Sequence, residues 1–205
     1  MTKNIQQETR SFDFPSYKAF MYELEENMLC TGELTKEHIQ ATLLNSYRIR
    51  RIDKQIEILP ALTREVQSLK SNWEWIVLVE SWCGDGAQNL PIIARIAALS
   101  DKIKLIIKLR SENPDLMDAH LTNGTKSIPK LICIHTNSGK EIGDWGPRPA
   151  IIQEKVKKLK SENPLITAQE FSRNLHLWYA SDKGAALQNE FINLIKKWKI
   201  ISREK

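Results

Sequence analysis

An α/β fold is predicted: a mixed central sheet in the order β-α-β-α-β-β-α, flanked by helices, with helical extensions at both ends. Three features of the 205-residue chain predict it. First, "WIVLVE" (75–80) is a continuous apolar, β-branched run, and "IKLIIKLR" (103–110) and "KLICIHT" (130–136) are two further segments of strand length. Runs that are apolar throughout suit strands buried on both faces. Second, segments of helical pattern separate these runs. Crossover helices of this kind join parallel strands. Third, the turn "NSG" (137–139) leads into a short fourth strand, "KEIGDWG" (140–146), which pairs as a hairpin.

The first seventy residues read as helical. Phe20, Met21, Leu24 and Met28 mark a helix over 15–29, and "TGELTKEH" (31–38) marks a break and a restart. Ile52, Ile56, Leu59, Leu62, Val66 and Leu69 then step by 4, 3, 3, 4 and 3, which is one face of a helix. Pro60 lies inside that pattern and is expected to kink it. After the first strand, "AQNLPIIARIAALS" (87–100) is helical, with Leu90, Ile93, Ile96 and Ala97 in phase. "NPDLMDAHLTNG" (113–124) reads as a helix capped by Asn113, opened by Pro114 and stopped at Asn123-Gly124. A closing helix spans 149–162, with Pro149 at its start. Phe171, Leu175 and Trp178 mark a further helix, and Leu187, Phe191, Leu194 and Trp198 mark another. The expected organisation is an N-terminal extension over 1–72, a core over 73–162 and a C-terminal extension over 163–205, packed as one unit.

The net charge of +5 is modest. Lysines at 154–160 and 195–199 alternate with apolar residues at helical spacing, as on solvated helix faces. No basic-aromatic interleaving points to nucleic acid. The segment "MTKNIQQETRSFDF" lacks the apolar stretch of a secretory signal, and no run of 18 apolar residues predicts a membrane span. Cys30, Cys83 and Cys133 are odd in number and far apart, so reduced thiols in the cytoplasm are expected. Neither Cys-x-x-Cys nor His-x-x-x-His occurs, so neither a metal nor another cofactor is expected.

Chemistry is expected at "VESWCGDGAQNLP" (79–91), where a strand hands over to a helix at Cys83. The first N–H groups of a helix lack internal partners and carry partial positive charge. A sulfur there can be held as the nucleophilic thiolate. Gly84 leaves the backbone open to an approaching partner sulfur. Cys133, inside "LICI", and Cys30 read as inert structural residues. Gly86 stands where a second cysteine would complete Cys-x-x-Cys, so Cys83 has no resolving neighbour in the motif. Asp85 either opposes the thiolate or caps the helix. A small depression of the thiol below its ordinary value of about 8.5 is expected.

This order of elements resembles the thioredoxin family. "WCGDG" (82–86) stands against the family's Trp-Cys-Gly-Pro-Cys, and "SIPK" (127–130) against its cis-proline loop. A bacterial thioredoxin-like subfamily is similar in sharing "WCGD", "LTNG", "SIPK" and "GDWGPRP" (143–149), over about 15–165. The resemblance implies a cis Ile128–Pro129 bond beside Cys83, with Trp82 shielding one side of the sulfur. Ile128 and Pro129 would then present a backbone edge to an extended substrate. Family members often carry a buried acid six residues before the cysteine, where Val77 stands here. Glu80 reads equally as an exposed or capping carboxylate and as a catalytic one.

Two functions follow from these residues. One is single-cysteine thiol–disulfide exchange through Cys83, with protein or low-molecular-weight thiols and disulfides as partners and an external thiol resolving the intermediate. The other is a redox-inactive binding module. The oligomeric state, and whether the terminal helices cover Cys83, stay open.

Overall fold

The computed structural model describes residues 9–202. The reading of the chain's start as lacking a signal rests largely on residues 1–8, which lie outside the described residues. Five strands form one mixed sheet in the order β1-β3-β2-β4-β5. They are β1 (Ser11–Phe12), β2 (Trp73–Val79), β3 (Ile103–Leu109), β4 (Lys130–His135) and β5 (Lys140–Trp145). β2 and β3 run parallel, and the other pairs are antiparallel. The helices are α1 (Phe14–Glu26), α2 (Lys36–Gln55), α3 (Pro60–Gln67), α4 (Gly84–Ala97), α5 (Pro114–Ala119), α6 (Ala150–Glu162), α7 (Ala168–Asp182) and α8 (Ala185–Ile201). The α/β class and the flanking helices are those predicted. Among the described residues, no helix is long and apolar enough to cross a membrane.

Four local expectations are corrected. β1 lies in a segment whose pattern reads as helical. It pairs Phe12 with Ile107, and the Phe12 ring stacks on Phe20 at 4.9 Å. Two residues carry no periodicity to read. The apolar face over 52–69 belongs to two helices rather than one kinked helix. α2 ends at Gln55, and Pro60 opens α3, where its missing N–H costs nothing. Leu59, before the proline, is extended at φ −59° and ψ 131°. The period persists because both helices bury that side in the same core.

The helix expected over 113–124 stops at Ala119. Asn113 donates its amide to the Leu109 carbonyl at 2.8 Å instead of capping. Asn123 and Gly124, at φ 51° and 75°, form a tight turn between the bridged Thr122 and Thr125. The helix expected from 87 begins at Gly84, so Cys83 stands directly at its N-terminus.

Alternate residues of a strand share a face. Trp73 and Trp75 therefore point the same way, and both meet the Trp198 ring of α8 edge-to-face. Trp198 comes so close to β5 that a Cβ on Gly143 would lie 2.0 Å from its Nε1. The C-terminal helix is thus seated on the sheet. A second, smaller cluster joins Ile152 and Val156 of α6 to Leu175 and Tyr179 of α7. It holds α7 beside the N-terminus of α4.

Candidate functional site

Beyond Val79 the chain turns, and the Cys83 N–H bonds back to the Glu80 carbonyl at 3.0 Å. Cys83 adopts φ −73° and ψ 110°, the extended geometry of an N-cap. Its Sγ accepts the Gly86 N–H at 3.3 Å, where a serine or aspartate oxygen would ordinarily sit. On its other side the thiol donates to the Ile128 carbonyl at 3.4 Å. The Ile128–Pro129 peptide is cis.

The turn is held by a buried polar set. Ser81 exchanges hydrogen bonds with Thr31, and its carbonyl accepts from the Asn45 side chain at 3.0 Å. Trp82 is fixed by an indole N–H bond to the Thr31 carbonyl at 3.1 Å. Its ring lies flat on His38 at 4.4 Å, and the Arg110 guanidinium lies 5.2 Å from the same ring.

Cys83 is only 6% exposed. Burial, reinforced by the Asp85 charge, pushes its thiol up to about 12, outweighing the Gly86 and Asp85 N–H groups and Arg148. The expected small depression is therefore reversed. A helix terminus supplies at most about 2 kcal/mol. Full burial can move a pKa by up to about 3–5, and each step of one is about 1.4 kcal/mol.

Asp85 does not cap the helix. Its carboxylate turns to Arg148, which reaches it through Nε at 3.0 Å and Nη2 at 2.7 Å. The Tyr179 hydroxyl also donates to it, at 2.7 Å. Burial pushes the Asp85 carboxyl up, against the pull of Arg148 and Tyr179. Asn89 ties the group together, bonding both the Asp85 carbonyl and the Tyr179 oxygen.

Glycine is required at 86 by close packing, since a Cβ there would lie 2.5 Å from Val79 Cγ2. The space over Gly84 is not open, as the sequence suggested. His176 Nε2 lies 3.0 Å and Arg48 Nη1 3.8 Å from where a Cβ would stand. Glu80 is not at the surface: it is 1% exposed, and its Oε1 accepts at 2.6 Å the N–H of Ser111, in the short 3-10 turn Arg110–Glu112 after β3, so it caps that turn from the interior. Its Oε2 is buried without a partner.

A cleft of about 350 Å³ brings together Trp82, Cys83, Gly84, Asp85 and Ile128, with Phe171 and Leu175 of α7 as one wall. Gly86 and Pro129 lie behind it; both are buried. Cys133 is buried on β4 opposite Trp75, and the Cys30 thiol donates to the Glu33 carbonyl at 3.4 Å. Among the described residues no cluster of His, Cys, Asp and Glu forms a metal site. Sequence reasoning missed Arg148, Tyr179, His176 and Arg48. Arg148 lay within the quoted "GDWGPRP", but nothing local linked any of the four to Cys83.

The model of a thioredoxin family matches residues 32–176, more than half of the chain. No curated protein matches. The crystal structure of a protein of unknown function from Pseudomonas aeruginosa is 16% identical with a TM-score of 0.61, over 90% of this chain and 91% of that one. An HIV epitope scaffold is 17% identical with a TM-score of 0.54, over 91% of this chain and 93% of that one. Likenesses at these identities establish the fold alone.

Proposed function

The chain belongs to the thioredoxin family, and on that premise we propose that it is a single-cysteine thiol–disulfide exchange protein. The Cys83 thiolate attacks a disulfide R–S–S–R, forming Cys83–S–S–R and releasing R–S⁻. Gly86 supplies no second thiol, so an external low-molecular-weight thiol attacks the R sulfur, carries it off as a new disulfide and restores Cys83. The carrying observation is the seat of the sulfur, between the Gly86 N–H at 3.3 Å and the Ile128 carbonyl at 3.4 Å. A reducing cytoplasm would supply the resolving thiol. The shared motifs support placing the chain in the bacterial subfamily that it resembles.

A thiol at about 12 is ionised in only about one molecule in 10⁵ at pH 7. Returning it to about 8.5 would ionise a few per cent. The closed site is therefore a resting state, and exchange requires the sulfur to be uncovered on the α7 side. The test is exchange between hydroxyethyl disulfide and a small thiol. Native protein is expected to accelerate it and Cys83→Ser not to.

A second reading, a redox-inactive binding module, is favoured by the burial of Cys83 at the floor of a cleft walled by α7. Equal exchange by native protein, Cys83→Ser and buffer would select it.

A further inference from the structure

Behind His176 the Cys83 cleft adjoins a second cavity, of about 510 Å³. Arg48 and Arg51 of α2, Gln88 of α4, and Arg173 and His176 of α7 line it, and among the described residues no carboxylate does. Four arginines elsewhere have acidic partners: Arg10 has Glu112, Arg50 has Glu25, Arg95 has Asp53 and Arg148 has Asp85, while Arg110 lies against the Trp82 ring and Arg64 is exposed. Among the described residues, Arg48, Arg51 and Arg173 have none. Arg48 donates only to the Asn45 side chain, at 2.9 Å. The Arg51 Nε is buried with no hydrogen-bond partner among the described residues.

We infer that Arg48, Arg51, Arg173 and His176 form a subsite for the carboxylate or phosphate group of a small ligand, beside the cleft of Cys83. Uncompensated like charges in a half-buried site are costly, and an anion removes that cost. Guanidinium forks match carboxylate and phosphate oxygens two by two. Burial and the two α2 arginines hold His176 at about 4, so its ring is neutral at pH 7. With the Gln88 amide donating to Nδ1 at 3.0 Å, the ring proton is assigned to Nε2, which is left to donate. Burial and Arg51 likewise lower Arg48, as expected of a cluster that lacks its counter-ion.

The position gives this subsite its use. Ser172 and His176 line both this cavity and the Cys83 cleft. A ligand whose sulfur meets Cys83 can therefore lay an anionic group among the arginines. Resting on the exchange reading, this names the partner class: a small thiol or disulfide carrying carboxylates or phosphates, in preference to a neutral or cationic one.

Two arms test the inference on the full chain. In the first, succinate and inorganic phosphate are titrated calorimetrically. Saturable binding is expected of the anion the subsite fits, weakened about tenfold or more in Arg51→Gln and Arg173→Gln and unchanged in the distant Lys158→Gln. Absence of binding by both anions, or binding undiminished in both arginine variants, overturns the inference. In the second arm, mixed-disulfide formation at Cys83 is timed with 3,3′-dithiodipropionate, hydroxyethyl disulfide and cystamine. The dianion should react about tenfold faster than the neutral disulfide and the dication slower, with the order lost in Arg51→Gln. Equal rates overturn the thiol-partner assignment. Anion binding with no adduct from any of the three overturns the exchange reading and leaves the subsite standing.

Discussion

Arg148, from the loop after β5, closes a two-point ion pair on Asp85, two residues beyond the Cys83 sulfur, at 3.0 and 2.7 Å. The pair sets two opposed charges near one thiol. Asp85 raises the Cys83 thiol and Arg148 lowers it. Asp85→Asn keeps an acceptor for Tyr179, removes the raising charge and leaves the lowering one. Alkylation of Cys83 at pH 8 should become about tenfold faster, because the thiolate fraction rises tenfold for each step of one that the pKa falls. Folding stability should fall by about 1–3 kcal/mol, because a part-buried arginine loses its charged partner. Unchanged alkylation would mean that the carboxylate does not act on the sulfur.

The raised thiol has a definite pH signature. A group favoured in its protonated form by folding stabilises the fold below its unfolded value, and that contribution is lost as pH rises toward the folded value. For Cys83 the window runs from about 8.5 to about 12. Urea unfolding between pH 7 and 10.5 should therefore show a steeper alkaline loss of stability in native protein than in Cys83→Ser, which has nothing to ionise there. Parallel curves would contradict the burial of the sulfur.

The missing resolving cysteine can be restored only with a second change. A Cβ at position 86 lies 3.4 Å from the Cys83 Cβ, close to the disulfide range of about 3.5–4.5 Å. It also lies 2.5 Å from Val79 Cγ2, on a buried β-branched side chain with little rotamer freedom. Gly86→Cys alone should destabilise by about 1–3 kcal/mol through overpacking. Val79→Ala with Gly86→Cys should fold and lose two titratable thiols on mild oxidation. Retention of both thiols would show that the loop cannot bring the sulfurs together.

The fold was legible because its signals are local. "WIVLVE", "IKLIIKLR" and "KLICIHT" each state a strand, and "NSG" states the hairpin. The position of Cys83 at a helix start was legible for the same reason, through the glycines that follow it. What surrounds the sulfur was not. Arg148 is 63 residues from Asp85 in the chain and Tyr179 is 94, so no window of sequence joins them. The thiol is raised rather than lowered because the burial of Cys83 in the main core is tertiary, whereas the helix terminus alone is visible in sequence. The interior position of Glu80 was illegible likewise, since it depends on the backbone of Ser111, 31 residues on.

The α7 wall is held by a small cluster apart from the main core, in which Leu175 meets Ile152, Val156 and Tyr179. Leu→Ala in a core costs about 2–5 kcal/mol. Here the loss should fall on the local opening of α7 rather than on the whole fold. Leu175→Ala should therefore speed alkylation of Cys83 about tenfold or more, while Cys133, buried on β4, labels as before. Equal acceleration at both cysteines would instead indicate global loosening.

The most direct test of single-thiol exchange is to trap and release its intermediate. Reduced native protein is mixed with hydroxyethyl disulfide at pH 8, and the adduct is mapped by mass spectrometry. An adduct on Cys83, released by a second small thiol without a protein disulfide forming and absent from Cys83→Ser, is the predicted result. An adduct confined to Cys30, with Cys83 unmodified through pH 9, would contradict the account and leave the binding module in its place.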